Sequence, residues 1–281
     1  MSKVLIVGCG DLGTAIAIRL QLNHEVIGLR RSQQTLPMGM RTIQGNVTKP
    51  NTLHLLAQIN PNIIVYCVSA DAQTDESYQA NYVQGLKNIL ATQTNNTALQ
   101  HVFFISSTRV YGQQTQNLLD ETSTAIPADF GGNRLLEAES AVKSLPCKST
   151  CMRLSGIYGP NRPMLINLAK DISRWPLNNQ WSNRIHRDDA ASFISYMAEK
   201  SIQKLPVDDC YIVTDDKPTL QYEVLTWLAK AQLVNTANVH VPKNGGGKRL
   251  SNKRLRATGF RLQFPHYQIG YDSVLKSQKN G

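Results

Sequence analysis

A glycine-rich segment near the start of the chain has the spacing of a loop that binds phosphate groups. Residues 8–13 read GCGDLG and fit the pattern GxGxxG, directly after one apolar run and before a helical one. Its first glycine permits a tight turn, its second lets the backbone approach a pyrophosphate, and its third allows close packing between helix and strand. The N-terminus of the helix then faces the phosphates. We therefore predict that a dinucleotide pyrophosphate is held by Gly8, Gly10, Asp11, Leu12 and Gly13.

Two arginines follow the second predicted strand, where a protein that binds NAD usually carries an acid for the ribose 2′-hydroxyl. This position reads Leu29-Arg30-Arg31-Ser32. A guanidinium cannot accept a hydrogen bond from that hydroxyl, whereas it pairs with a phosphate in a fork geometry. Arg30 and Arg31 therefore predict NADP rather than NAD as the cofactor. The alternative is that both arginines are solvated loop charges.

The other residues that we assign to the cofactor follow two later strands. Asn46 and Val47 come after a predicted third strand and are expected near the adenine. Val68, Ser69 and Ala70 lie at the end of a fully apolar run and are expected to line the edge of the cofactor. Both assignments rest on one rule, because ligands of open α/β sheets bind outside the carboxyl ends of the strands.

The elements that must position these residues alternate between short β-branched runs and helical stretches. We predict strands at Val4–Val7, Glu25–Leu29, Ile63–Val68, His101–Ile105, Cys151–Leu154 and Cys210–Val213, and helices at Leu12–Leu20, Tyr82–Leu90 and Leu135–Val142. This alternation is typical of βαβ units and predicts an α/β fold with a Rossmann-type doubly wound parallel sheet in residues 1–155. After Gly156 prolines break the pattern, so residues 156–281 are predicted to form mainly a small substrate lobe, with returns to the sheet around 185–215.

Several segments in order along the chain resemble one known family. They are Asn81 before a helix, His101–Gly112 (HVFFISSTRVYG), Arg153–Pro160, Ile185–Ala190 and Tyr211–Pro218. These segments are similar to those of the extended short-chain dehydrogenases, the NAD-dependent epimerase/dehydratase family, and especially of its shorter, atypical branch. The resemblance covers most of the chain and implies a nicotinamide cofactor, a small-molecule substrate and, as in many family members, a homodimer.

The resemblance also implies which residues act on the substrate. In active members a Ser or Thr three residues before the VYG triplet orients the substrate oxygen, and that position is Ser107 here. A Tyr and a Lys four residues apart complete the family site, but this chain carries Phe130 and Arg134 instead. Phe130 has no ionisable proton, whereas Arg134 keeps its charge and is predicted to anchor the nicotinamide ribose. Proton transfer then needs another hydroxyl, from Tyr111, Thr108 or the substrate lobe, or the reaction is lost.

Three further features have two interpretations each. By the resemblance Arg162 faces the cleft and binds an anionic substrate or the cofactor phosphates, and otherwise it is a solvated loop residue. His186 has an ordinary pKa near neutrality, as a general acid or base requires, but its segment favours packing. The basic run Lys248–Arg256 could contact nucleic acid, yet it resembles the closing helix of the family, so we do not expect nucleic-acid binding.

The composition limits the remaining possibilities. Of 281 residues, 41% are hydrophobic, which excludes disordered and fibrous proteins. The net charge of +10 is concentrated after residue 240 and suggests an anionic partner. Five scattered cysteines without a CxxC pair predict neither a disulfide framework nor a metal site and fit a reducing cytosol. No signal peptide or membrane span is recognisable, so we predict a cytoplasmic location.

Two hypotheses about function follow from these residues. The leading one is an NADP-preferring oxidoreductase or epimerase-like enzyme that acts on a small, anionic or nucleotide-linked substrate. The alternative is a catalytically degenerate NADP-binding protein that senses redox state or regulates a partner, and it is motivated by the loss of the tyrosine at Phe130.

Overall fold

The structure is a computed structural model that describes residues 1–32 and 36–279. The chain divides into two compact units. The first unit comprises Met1–Gly112, Ala125–Arg153 and Ala191–Tyr211. The second unit comprises Gln113–Thr124, Leu154–Ala190 and Ile212–Gly281. The roles that we assign to the two regions, cofactor binding and substrate binding, remain predictions.

The first half of the chain contains β1 (Lys3–Val7), α1 (Asp11–Leu20), β2 (Glu25–Arg30), β3 (Arg41–Gln44), β4 (Ile63–Tyr66), α2 (Asp75–Tyr78), α3 (Gly85–Ala91), β5 (His101–Ser107), β6 (Leu118–Leu119) and α4 (Phe130–Lys143). Residues Gln79–Gln84 join α2 to α3 as a π-helix. The second half contains β7 (Lys148–Leu154), β8 (Gly156–Tyr158), α5 (Met164–Lys170), β9 (Asn179–Ser182), β10 (Arg184–His186), α6 (Arg187–Ile202), β11 (Cys210–Val213), β12 (Thr219–Leu220), α7 (Gln221–Ala231), β13 (Asn244–Gly247), β14 (Arg249–Leu250), α8 (Lys253–Ala257) and α9 (Tyr267–Lys279).

Seven strands form a parallel sheet in the order β11-β7-β5-β4-β1-β2-β3. β1 and β4 lie at its centre and pair in parallel, with Val4 opposite Ile63 and Val7 opposite Tyr66. Every residue of β4 is fully buried, as expected for a central strand with helices on both faces. The order of the strands reverses between β1 and β4, and ligands of doubly wound sheets bind at this point. The predicted α/β fold and Rossmann-type sheet are thus confirmed.

Two helices begin earlier than their apolar patterns predict. The side-chain oxygen of Thr74 caps α2 and that of Asp129 caps α4, accepting backbone N–H groups at 3.2 and 3.0 Å. The helical segments therefore start before Tyr82 and Leu135, the first residues at which apolar spacing is visible. β4, in turn, ends at Tyr66 rather than at Val68, and Cys67–Ser69 line a cleft.

The second unit consists of three small sheets and helices around an aromatic core. Its sheets are β10-β8, β12-β9-β13 and β14-β6. Residues from α5, α7 and α9 pack around Tyr158, Trp175, Tyr222 and Tyr271. The indole N–H of Trp175 donates to the Leu168 carbonyl at 3.1 Å, so this tryptophan covers the core of the unit.

Candidate functional site

A cleft opens at the carboxyl ends of β1, β2 and β4, within the first unit. It has a volume of about 330 Å³ and is lined by residues 8–10, 29–32, 45–47 and 67–69 and by Asn81. A volume of this size is typical of small-molecule sites. The structure brings the following predicted cofactor residues together in this lining: Gly8, Gly10, Arg30, Arg31, Asn46, Val47, Val68 and Ser69. Asp11, Leu12 and Gly13 form the first turn of α1, and Ala70 directly follows Ser69.

The glycine loop has the close packing that its spacing predicts. Gly8 has a φ of +94°, and a Cβ at this position would lie 2.5 Å from the carbonyl oxygen of Cys67. A Cβ at position 13 would lie 2.1 Å from the Gly8 carbonyl oxygen, so only glycine lets α1 approach β1 this closely. In contrast, nothing lies within 4 Å of a Cβ built on Gly10, which caps α1. The backbone at the N-terminus of α1 is therefore open to a pyrophosphate, and these residues fit a dinucleotide.

Positive charge lies at the end of β2, on the rim of the cleft. The Arg31 Nη1 is 2.5 Å from the Asp71 Oδ1, and the Arg31 carbonyl accepts a hydrogen bond from the Gln44 side chain at 3.1 Å. Burial raises the pKa of the Cys9 thiol to about 12, against the opposing charge of Arg30. Among the cleft-lining residues that the structure describes, none is acidic.

Ser107 ends β5, the strand next to β4. Its Oγ accepts a hydrogen bond from the Arg109 backbone N–H at 3.1 Å and thereby caps a short 3-10 turn. Because the oxygen accepts this bond through a lone pair, the hydroxyl proton is not used in it. The predicted role of Ser107 toward a substrate oxygen remains a prediction.

Phe130 belongs to an aromatic cluster that we define as Tyr78, Tyr82, Phe104 and Phe130. The Phe130 ring meets the Tyr78 ring edge-on at 5.5 Å, Tyr78 lies 5.1 Å from Tyr82, and Tyr82 lies 6.5 Å from Phe104. The guanidinium of Arg109 lies over the Tyr78 and Phe130 rings at 5.0 and 5.2 Å and donates to the Tyr78 hydroxyl at 2.6 Å.

Tyr82 is the member of this cluster that forms a hydrogen bond with the Ala70 backbone. Burial and the neighbouring Tyr78 raise the pKa of Tyr82 to about 12, while a hydrogen bond from the Ala70 backbone opposes the shift. Its hydroxyl is therefore neutral at physiological pH and lies beside Ala70, just beyond the end of β4. Sequence reasoning missed Tyr78 and Tyr82, and the available signal was their spacing of four on one helical segment.

Arg134 is held by two carboxylates. Its Nε and Nη2 lie 2.7 and 2.8 Å from the two oxygens of Asp75, and its Nη1 lies 2.9 Å from Glu137. The hydrogen bonds from Arg134 lower the pKa of Asp75. In the structure this guanidinium joins α2 to α4, and its predicted contact with the nicotinamide ribose remains a prediction.

Tyr111 belongs to a buried polar network. Its hydroxyl accepts a hydrogen bond from Arg153 at 2.6 Å, and Arg153 forms an ion pair with Glu139 at 2.6 Å. The Ser106 hydroxyl donates to the same carboxylate at 2.6 Å. Tyr111 is fully buried, so its position favours a structural role over the proton transfer that we considered for it. The other alternative, Thr108, is also buried.

The remaining candidates lie in the second unit. Arg162 follows a turn in which Gly159 and Asn161 have positive φ, and its N–H donates to the Gly159 carbonyl at 3.2 Å. The buried His186 ring packs 3.9 Å from Phe264 and 5.2 Å from Tyr158, and burial lowers its pKa to about 4. These contacts agree with the packing interpretation of His186.

Several basic side chains near the C-terminus have partners within their unit. Arg249 lies over the Trp181 ring at 5.3 Å, Arg254 is 3.8 Å from Glu121, and Arg256 is 3.7 Å from Asp216. Over residues 1–32 and 36–279, no cluster of three His, Cys, Asp or Glu side chains has the arrangement of a metal site. Within the same ranges, no helix has the length and apolar character needed to cross a bilayer.

Comparison with known proteins places this geometry in a family. The sequence profile of the NAD dependent epimerase/dehydratase family matches residues 4–207. A protein from Methylobacillus flagellatus, provisionally described as an NAD-dependent epimerase/dehydratase, is 44% identical over 99% of both chains, with a TM-score of 0.90. No curated protein matches the sequence significantly.

More distant solved structures share the fold. The UDP-glucose 4-epimerase of Thermus thermophilus, solved with NAD, has a TM-score of 0.78 at 18% identity over 98% of both chains. The Bordetella bronchiseptica enzyme WbmG, solved with NAD and UDP, has a TM-score of 0.80 at 16% identity over 99% of this chain and 95% of its own. Together with the profile match and the 44% identical relative, the glycine loop and the sheet order lead to one conclusion: this chain belongs to the NAD-dependent epimerase/dehydratase family.

Proposed function

We propose that this chain is an NADP-preferring oxidoreductase or epimerase that acts on a small or nucleotide-linked substrate. The observation that carries the cofactor preference is the end of β2, where Arg30 and Arg31 line the cleft and no acid stands among its described lining residues. The solved relatives from T. thermophilus and B. bronchiseptica carry NAD, so the proposed preference departs from them. It rests on the match between a guanidinium and a 2′-phosphate.

The residues of the cleft divide among the parts of the cofactor. The backbone of Gly8, Gly10 and the first turn of α1 holds the pyrophosphate, and Asn46 and Val47 contact the adenine. Val68, Ser69 and Ala70 form the edge toward the nicotinamide. When bound, the nicotinamide exchanges a hydride with a substrate carbon.

Ser107 and the aromatic cluster provide the hydroxyls on the substrate side. We assign the hydroxyl proton of Ser107 to a substrate oxygen, since the hydrogen bond that Ser107 accepts from the Arg109 N–H leaves this proton available. Phe130 has no proton to transfer, so we assign this task to the Tyr82 hydroxyl, which lies next to the Ala70 backbone. We assign Arg162 to an anionic group of the substrate, because a nucleotide-linked substrate carries phosphate groups.

We also propose a cytoplasmic location and a homodimer. The location is supported by five cysteines that form no disulfide, which suits a reducing compartment. The dimer is supported by the family alone. Neither the family match nor the solved relatives favour the non-catalytic alternative.

A substrate screen tests whether the chain is an enzyme. The protein is incubated with oxidised and reduced NADP and a panel of nucleotide sugars and small hydroxy compounds. Nicotinamide absorbance reports net reduction or oxidation, and chromatography of the products reports epimerisation. Turnover of any member, absent without nucleotide, supports the proposal. No turnover across the panel, combined with a partner or conformational change that depends on the redox state of the nucleotide, would instead favour a sensor.

A further inference from the structure

We propose that Asp71 sets the cofactor selectivity of the cleft by competing with the 2′-phosphate of NADP for Arg31. This inference rests on the proposed NADP preference, and it adds Asp71 to the residues that determine that preference. No family segment or sequence pattern pointed to Asp71.

The ion pair between Arg31 and Asp71 links the two sides of the glycine loop. Arg31 follows β2 and Asp71 follows β4, and these two strands flank β1 in the sheet. The Arg31 Nη1 lies 2.5 Å from the Asp71 Oδ1. The ion pair therefore joins the segment after β2 to the segment after β4, on either side of β1, the strand that precedes Gly8. Both side chains are half exposed, at 60% and 50%, so a ligand can reach them.

The backbone on both sides of this pair is fixed. The N–H groups of Asp71 and Ala72 both donate to the Ser77 Oγ at 3.1 Å. On the other side, the Gln44 amide donates to the Arg31 carbonyl at 3.1 Å. The Asp71 carboxylate is therefore held near the guanidinium by its own loop, and exchange of partners requires only side-chain rotation.

A 2′-phosphate and the Asp71 carboxylate need the same donors. The exposed ion pair contributes little and engages Arg31 through Nη1 alone, whereas a phosphate can accept two parallel hydrogen bonds from the guanidinium, so the phosphate displaces the carboxylate. The displaced carboxylate then stays beside a dianion and repels it. Asp71 consequently weakens the binding of NADP. It does not weaken the binding of NAD, because NAD has no 2′-phosphate.

The opposite role for Asp71, in which it helps to bind NAD, predicts a different result in the same test. Its carboxylate could accept a hydrogen bond from the ribose 2′-hydroxyl of NAD and so replace the acid that is missing from the end of β2. Removal of the charge would then weaken NADH binding and leave NADPH binding unimproved.

The experiment is a fluorescence titration of the wild type, Asp71→Asn and Glu76→Gln with NADPH and with NADH. We expect Asp71→Asn to lower the Kd for NADPH by about three- to tenfold, and to change that for NADH by less than about twofold. Higher salt reduces the gain, because the repulsion is screened. Glu76→Gln removes the same charge from an exposed position of α2 and controls for net charge. The gain should disappear when Asp71→Asn is combined with Arg31→Ala.

The outcomes separate this inference from the proposed function. A wild type that binds NADPH no more tightly than NADH overturns the proposed preference and this inference with it. A wild type that prefers NADPH, with an Asp71→Asn variant that does not tighten NADPH or that loses NADH affinity, overturns the role of Asp71 alone. An equal gain in Glu76→Gln would also overturn it, since net charge would then be the cause.

Discussion

At the scale of single residues, Phe130 stands where active family members carry a tyrosine, so the proposed proton transfer needs another hydroxyl. Ser107 is the hydroxyl whose lone pair is already engaged by the Arg109 N–H, which leaves its proton for a substrate oxygen. Tyr82 is the hydroxyl beside Ala70, and burial raises its pKa to about 12. In the proposed mechanism the two groups have separable roles, since one would orient a substrate oxygen and the other would transfer a proton.

Ser107→Ala should reduce kcat on any substrate found by screening by about two orders of magnitude, because an orienting hydrogen bond is lost. The Kd for NADPH should change by less than about twofold, since Ser107 lies outside the described lining of the cleft. Steady-state kinetics and a fluorescence titration measure the two effects. Unchanged turnover in this variant would remove Ser107 from the mechanism.

Asp215 is a buried carboxylic acid whose surroundings change its pKa. It is 1% exposed, and burial raises its pKa to about 7. The guanidinium of Arg184 opposes this shift, and Asp216 and Asp189 add to it. The further titratable side chains that interact with Asp215 are Tyr158 and Tyr271. A raised pKa in the folded state means that folding favours the protonated form, so this stability is lost as pH rises through about 7.

Asp215→Asn should therefore stabilise the protein, because asparagine stays neutral at every pH. The advantage over the wild type should grow between about pH 4 and pH 7 and reach on the order of 2–4 kcal/mol above that range. Urea unfolding across this pH range measures it. Asp208→Asn, at an exposed position, serves as the control. An advantage of Asp215→Asn that shrinks with rising pH would contradict the account.

Residue roles that depend on distant contacts could not be predicted from the sequence. The glycine loop and the two arginines are local patterns, and the structure brings them into one cleft. Arg31 pairs with a residue 40 positions away and Arg134 with one 59 positions away. Nothing in the sequence around either arginine indicates these partners, because the return of the chain along the sheet brings them together.

At the scale of elements, the start of α4 organises the aromatic cluster. Asp129 caps the helix and also binds the Arg109 Nε, at 2.9 and 3.0 Å. Gly131 lies under the guanidinium, and a Cβ there would be 2.5 Å from the Arg109 Cζ. The two glycines at this start also explain why the apolar pattern predicted the helix only from Leu135. That apolar pattern indicates neither the Asp129 cap nor the close approach of Gly131 to Arg109.

Gly132→Ala should destabilise the protein by about 1–3 kcal/mol, although alanine normally favours a helix over glycine by about 1 kcal/mol. A Cβ at this position would lie 2.8 Å from both the Arg109 carbonyl oxygen and the Pro127 Cβ, and neither group can rotate away. Asn133→Ala, at an exposed position of the same helix, is the control and should be neutral or slightly stabilising. Thermal and urea unfolding compare the two variants. A stabilised Gly132→Ala would show that the backbone at Arg109 and Pro127 can move at no cost.

At the scale of the whole molecule, the doubly wound sheet was predictable because its strands are short, apolar and separated by helices. The family followed from motifs spread from β1 to β11, and the comparisons confirm it. The second unit was less predictable, because it is built from short strands and from a segment, Gln113–Thr124, that leaves the first unit early. The proposed cofactor preference rests on one rim of the cleft and not on the fold, since the solved relatives with this fold carry NAD.

The most direct test of the central claim is a titration of the wild type and of Arg31→Ala with NADPH and NADH, followed by nicotinamide fluorescence. We expect the wild type to bind NADPH at least about tenfold more tightly than NADH, because only NADPH offers Arg30 and Arg31 a 2′-phosphate. Arg31→Ala should lose most of this difference and keep its affinity for NADH. Equal affinities in the wild type, or tighter binding of NADH, would contradict the preference for NADP.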